Sequence, residues 1–235
     1  MLANIALEKV LFLDIETVPA VYNFDNLDPK TQDLWSLKTR FIQEREEKGP
    51  DEVYEKAGIY AEFGKVICIS TAFVNGNSLR VKSFYGDDEK ILLKDFAELL
   101  DRYFHGADQY LCGHNIKEFD IPFMARRMLI NGLELPNMLD LAGKKPWEVK
   151  HLDTMELWKF GDYKHFTSLS LLTHIFGIPT PKDDISGSDV SRVYWEEQDL
   201  ERIKVYCEKD TVAVAQLFMR FKNMPLIKNE FIESV

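Results

Sequence analysis

The stretch VLFLDIETVP, residues 10–19, is a near-continuous apolar run broken by two carboxylates, Asp14 and Glu16. Runs of this kind form strands covered on both faces. Side chains alternate along a strand, so Asp14 and Glu16, two apart, share one face. A solvent-facing edge position would accommodate a lone acid, but the flanking residues are too apolar for an edge. Two like charges that close repel each other, and burying even one unpaired ion is strongly unfavourable. The strand itself supplies no basic residue, so the pair calls for a cation.

The rest of the chain sets the context for that strand. Its 235 residues are 46% hydrophobic and 29% charged, the composition of an ordinary globular protein, and long enough to bury a core as one domain. Three scattered cysteines, Cys68, Cys112 and Cys207, sit inside apolar segments, which points to a reduced intracellular protein without a disulfide framework. The opening MLANIALEKV does not read as a signal peptide, and no apolar run approaches the roughly 20 residues of a membrane span. A cytoplasmic protein is expected. The net charge of −10 argues against a protein that grips duplex nucleic acid by neutralising phosphates. It leaves room for an enzyme that captures one 3′ end through metal ions.

Outward from the first strand, residues 20–62 form a charged, partly helical insertion with Trp35, Leu37 and Phe41 as its apolar face. Two strands follow, KVICISTAFV and SLRVKSFYG, joined at Asn75-Gly76, a strong hairpin signal. An amphipathic helix over about 88–104 precedes a short strand, DQYLCGHN. A helix then begins near Asp120 or Pro122 and stops at Asn131-Gly132. A further strand and turn fall in VKHLDTMELW, a helix runs from Thr167 or Ser168 to Gly177, and a long final helix spans about Glu196 to Lys222. Three early strands in an antiparallel meander, then alternating helix and strand, give an α/β fold with a mixed sheet flanked by helices.

Two further acids share the anomaly of the first pair. In CGHNIKEFDIP, residues 112–122, Asp120 precedes Pro122 and fits a helix N-cap, but it also ends a strand–turn–helix unit where functional groups gather in open α/β sheets. Asn115 lies in that turn, able to bind a ligand or only the backbone. In VYCEKDTVAVAQLF, residues 205–218, helical spacing puts Ile203, Cys207, Asp210, Val214 and Leu217 or Phe218 on one core-facing stripe. Tyr206 is one turn before Asp210, and a buried Tyr–Asp hydrogen bond is the structural alternative to a catalytic pair. Together the segments bring four inward-facing acids and a tyrosine. All-oxygen donors suit Mg²⁺ or Mn²⁺, whereas zinc ordinarily asks for histidine or cysteine. Four carboxylates balance a pair of divalent ions, and two metals ~3.5–4 Å apart serve phosphoryl displacement.

FLDIETVP, HNIKEFDIPF and YCEKD resemble, in order, the three motifs of the DEDD superfamily of 3′–5′ exonucleases. The Y-x-x-x-D form of the third motif matches the tyrosine-bearing branch. N-x-x-x-F-D-x-P is similar to the proofreading domain of family-B DNA polymerases, and SLLTHIFGIPTPKDDISGSDV resembles its predicted stand-alone relatives. The resemblance covers residue 10 to about 220 and implies a ribonuclease H-like fold. It further implies that Asp14, Glu16 and Asp210 hold the metal that activates the attacking water. Asp14 bridges to a second metal that Asp120 supports, and Tyr206 orients or helps deprotonate the water. Thr17, whose backbone follows Glu16, together with Asn115 and Phe119, is placed to contact the terminal nucleotide.

The expected activity is therefore two-metal hydrolysis, with Mg²⁺ or Mn²⁺, from the 3′ end of single-stranded DNA or RNA, releasing nucleoside monophosphates. Residues 1–235 leave no room for a polymerase domain, so the enzyme acts alone or with a separate polymerase or repair partner. An RNA-processing enzyme like ribonuclease D is the alternative, though that family usually adds a helical RNA-binding domain. A non-catalytic nucleic-acid-binding domain is a third reading, opposed by the presence of all four acids and the tyrosine. Candidate strand contacts are Arg126, Arg127, KKPWEVK (144–150) and WKFGDYKHF (158–166), whose aromatics can stack bases, or which simply form solvated surface.

Overall fold

The computed structural model describes residues 2–162, 164–179 and 185–235. In chain order its elements are β1 (Val10–Pro19), α1 (Pro29–Glu46), β2 (Gly64–Asn75), β3 (Ser78–Tyr85), α2 (Glu89–Tyr103), β4 (Tyr110–Gly113), α3 (Asp120–Ile130), β5 (Leu152–Asp153), α4 (Thr154–Lys159), α5 (Leu169–Ile175), α6 (Val190–Arg192), α7 (Leu200–Phe221) and β6 (Ile232–Ser234). Short 3₁₀ turns fill several connections, and one π-helical turn, Val193–Glu197, continues α6.

The strands form one mixed sheet in the order β5-β4-β1-β2-β3-β6. β1, β2 and β3 make the expected antiparallel meander, while β4 and β5 add parallel to β1. β6, which the sequence does not announce, runs parallel to β3 at the far edge. The hairpin loop is Gly76-Asn77, one residue later than expected, with Gly76 at φ 61°. Glycine, free of a Cβ, adopts that conformation at the least steric cost.

β1 lies in the centre with both faces covered, which explains its unbroken apolar character. Leu11, Leu13 and Ile15 face one way, into a cluster with Leu93, Phe96 and Leu100 of α2 and Met124 and Met128 of α3. Val10 and Phe12 face the other way, against Val214 and Phe218 of α7, where the Phe12 and Phe218 rings meet edge-on at 5.7 Å. Asp14 and Glu16 continue this second row, so strand alternation aims both at α7.

The insertion at 20–62 builds its own small core. Asp28 caps α1 by accepting the Thr31 amide, with Pro29 as first helical residue. Trp35 is fully buried among Tyr54, Tyr60 and Phe63 and donates its indole N–H to the Pro50 carbonyl at 2.7 Å. Leu37 and Phe41 do not share that face: they are 70% and 73% exposed. A helix that buries one large side chain relies on its flanking turns, and those turns carry the aromatic partners. The insertion is fastened to the end of β1, where Thr17 Oγ1 donates to the Gly58 carbonyl at 2.7 Å. A Cβ on Gly58 would stand 3.2 Å from Val18 Cα, so glycine permits the close approach.

Candidate active site

The acids collect at the carboxyl ends of the parallel strands β1 and β4, where open α/β sheets place their ligands. A β-bulge sharpens the arrangement. Glu16 pairs with Cys68 but Thr17 pairs with Val66, leaving Ile67 as the extra residue of β2. Ile67 packs toward Val18, Val193 and Ile203, and Cys68 reaches Cys207, so both turn to the α7 side. Thr17 commits its hydroxyl proton to the Gly58 carbonyl.

Asp14 is half-buried and Glu16 is 8% exposed. From α7, Cys207 points its thiol at them, with Sγ 3.4 Å from the Asp14 carbonyl oxygen and 3.6 Å from Asp14 Oδ2. One ligand atom each of Asp14, Glu16 and Cys207 lie within 4.8 Å of one another. Ile203, Cys207, Val214, Leu217 and Phe218 of the predicted stripe are fully buried, and Asp210 is half-buried at its active-site end. Tyr206 is hydrogen-bonded to Asp210.

Asp120 enters from the opposite side of the strand. It is the first residue of α3, and the N-cap is Phe119, so the expectation that Asp120 caps the helix is corrected. Its carboxylate is 4% exposed, and the Ile15 amide bonds it. Phe119 is half-buried beside Phe123, with ring centroids 5.5 Å apart. Asn115 takes φ 66°, a left-handed conformation asparagine tolerates, and the turn it opens folds back over Gly113. A Cβ on Gly113 would meet Ile116 Cβ at 2.7 Å, so the turn can lie that close only over glycine.

That turn depends on Asp153, a residue the sequence reading passes over. Asp153 accepts the amides of Asn115 at 2.9 Å, Lys117 at 3.2 Å, Met155 at 2.9 Å and Glu156 at 3.4 Å. It thus caps α4 and holds the 113–120 turn with the same carboxylate. An aspartate just before the helical pattern TMELW is the signal that finds it. His114 beside it bridges Thr154 Oγ1 and the Thr167 carbonyl, and burial lowers its pKa, so it stays neutral.

The electrostatics are those of carboxylates that raise one another, eased by the Cys207 thiol at Asp14 and by backbone amides at Asp120. Burial raises the Asp14 carboxyl well above its ordinary range, and Glu16, Asp120 and Asp210 raise it further. Glu16 is raised by burial first, then by Asp210, Cys68 and Asp120. Burial lifts Asp120 to about 7. Among the described residues no lysine or arginine shifts any of the three downward, and no hydrogen bond reaches the Glu16 carboxylate. Tyr206 is pushed well above an ordinary phenol by burial and by Asp210, Glu16 and Asp14, so its proton stays on. A mutually repelling oxygen cluster with no cation beside it among the described residues fits divalent metal ions.

The expected strand contacts fare unevenly. Arg127 is no strand contact: it is buried, donating to Glu89 at 2.9 and 2.6 Å and to the Ala61 carbonyl at 2.9 Å. Trp158 packs against Phe176 and Phe221 rather than standing free, because α5 and α7 need an aromatic layer between them. Arg126 is exposed, as are Trp147 under Lys145, Phe160, and Phe166 under Lys159. Tyr163, and residues 180–184 of the segment before the last motif, lie outside the described residues.

The family described as "Predicted 3'-5' exonuclease related to the exonuclease domain of PolB" matches residues 59–231, a span that includes Asp120, Tyr206 and Asp210 and begins after β1. Among solved structures, the family B DNA polymerase from the hyperthermophilic archaeon Pyrobaculum calidifontis is similar at 15% identity and a TM-score of 0.55, over 90% of this chain and 24% of that one. The chain thus spans about a quarter of the length of that polymerase, and its sheet and helices have the ribonuclease H-like fold. No curated protein matches the chain. The chain belongs to the predicted 3′–5′ exonucleases related to the exonuclease domain of PolB.

Proposed function

We propose that this protein hydrolyses single-stranded DNA from its 3′ end with two divalent ions, Mg²⁺ or Mn²⁺, releasing nucleoside monophosphates. The observation that carries the reading is the inward-facing cluster of Asp14, Glu16 and Asp120, which no lysine or arginine among the described residues neutralises, beside Asp210, on a fold of this family. The donors fit such ions: carboxylate oxygens dominate, and the Glu16 carboxylate is buried with no hydrogen bond among the described residues. Bound there, the ions supply a water nucleophile near neutral pH and stabilise charge on the attacking and leaving oxygens.

The protein's own groups then have distinct tasks. Asp14, Glu16 and Asp210 would hold one ion, and Asp120 would support the second. Tyr206 donates to Asp210, which leaves its oxygen lone pairs to orient the water or help take its proton. Asn115, the Thr17 backbone and Phe119 form the rim that receives the terminal nucleotide. Arg126, Trp147, Phe160 and Phe166 are exposed sites for the upstream strand, which the net charge of −10 keeps weakly bound and salt-sensitive. The enzyme acts in the cytoplasm, alone or with a separate polymerase or repair partner.

The test is digestion of 5′-labelled single-stranded DNA and RNA, side by side, with Mg²⁺, Mn²⁺ or EDTA. Stepwise shortening from the 3′ end that stops in EDTA is the expected result. Cleavage of a circular single strand, or full activity in EDTA, overturns the proposal; a strong preference for RNA moves the substrate to the ribonuclease D class.

A further inference from the structure

The oxygen-rich cluster contains one donor of a different kind. Cys207 lies on α7 one turn before Thr211, whose hydroxyl bonds the Cys207 carbonyl at 2.9 Å and faces the Ser70 carbonyl at 3.3 Å. These contacts fix this part of α7 on β2 and hold the Cys207 thiol over Asp14. Its Sγ stands 3.6 Å from Asp14 Oδ2. On a tetrahedral zinc ion, with Zn–S about 2.3 Å and Zn–O about 2.1 Å, neighbouring sulfur and oxygen donors are separated by about 3.6 Å. The Sγ–Oδ2 distance is a thiol-to-carboxylate hydrogen bond in the metal-free protein, and it equals the spacing of two donors in one zinc coordination sphere. Glu16 supplies a third donor within 4.8 Å of both, buried and without a hydrogen bond among the described residues. Cys68, opposite Glu16 in the sheet, hydrogen-bonds Cys207 from behind and so holds the sulfur in place.

We propose that Asp14, Glu16 and the Cys207 sulfur form a site for a soft divalent cation, Zn²⁺ or Cd²⁺, which competes with Mg²⁺ and Mn²⁺ for the proposed nuclease centre. The competitive consequence rests on the nuclease reading; the site itself rests on the three donors. Hard ions of the Mg²⁺ type gain little from sulfur, whereas zinc gains a strong ligand, so the thiol tilts affinity toward the softer metal. Binding forms a Zn–S bond and breaks the S–H bond, and the proton passes to solvent, one per ion bound. Zinc held this way takes over carboxylates that two harder ions would share. The centre would thereby sense free zinc.

Cobalt(II) and zinc binding to the EDTA-treated protein test this without any substrate. Co²⁺ bound to the wild-type protein should show an intense near-ultraviolet thiolate-to-metal band, and Cys207→Ser should abolish it. Zinc affinity should fall at least about tenfold in Cys207→Ser. Stoichiometric Zn²⁺ should displace bound Mn²⁺ from the wild-type protein, read as free Mn²⁺ by electron paramagnetic resonance. A wild-type cobalt complex without the sulfur band, or equal zinc affinity in Cys207→Ser, overturns the proposal. A missing band in the wild-type protein overturns the proposal even if the serine variant fails to fold, and Cys207→Ala then carries the same test. If the sulfur band appears but no oligonucleotide is cleaved with Mg²⁺ or Mn²⁺, the soft-metal site stands and the nuclease reading falls.

Discussion

Asp120 allows the electrostatics of the cluster to be measured as stability. Burial raises its carboxyl to about 7, Asp153 adds to the rise, and the amides of Asp120 and Ile15 oppose it; the ordinary value is 3.8. Between those two values the native state keeps a proton that the unfolded chain has released. Stability of the metal-free protein therefore falls as pH rises from about 4 to about 7 and is level above that. Three units at about 1.4 kcal/mol each set an upper bound of about 4 kcal/mol. Asp14 and Glu16 titrate with it, so the transition belongs to the cluster. Asp120→Asn keeps the shape and the acceptor for the Ile15 amide but cannot ionise. From pH 5 to pH 8 the stability of the variant relative to wild type should improve by about 3 kcal/mol, two of the three units. At about 2–4 °C per kcal/mol for a chain of this size, the melting-temperature gap should widen by about 6–12 °C. Thermal unfolding in EDTA across this pH range measures it. A gap that does not change with pH refutes the argument.

Asp210→Ala should lower single-turnover cleavage by at least about 10²–10⁴-fold, the range for loss of a general base, because it removes an ion ligand; Tyr206→Phe should lose less, with Mn²⁺ affinity unchanged. A Tyr206→Phe variant with normal turnover but a lower melting temperature would assign that hydroxyl a structural hydrogen bond only. Asp153→Ala strips an N-cap worth about 0.5–2 kcal/mol and frees the Asn115 turn, so KM should rise more than kcat falls in steady-state kinetics. Glu89→Ala leaves the Arg127 guanidinium buried and unpaired, which should cost about 3–5 kcal/mol in denaturant unfolding while leaving metal affinity intact.

The opening strand reveals its own setting because its pattern obeys local rules. Strand alternation places Asp14 and Glu16 on one face, the apolar neighbours require cover on both sides, and a 3.6-residue period puts Cys207 and Asp210 on the core stripe of α7. Asn-Gly punctuation, Ser168 as a cap and Gly177 as a stop are equally local, and the structure keeps all of them to within a residue or so. Distances across the chain are a different matter. That Arg127 turns inward to Glu89, 38 positions earlier, follows from how α3 packs on α2, and an arginine in a helix reads the same whether it faces solvent or core. Leu37 and Phe41 match helical spacing but stay exposed, because Trp35 fills the insertion's small core with partners from beyond the helix. The bulge at Ile67 and the four amides converging on Asp153 arise only once strands and turns are in register. So does the 3.6 Å between a cysteine and an aspartate 193 residues apart, which no local rule measures and only the packing of α7 on β1 decides.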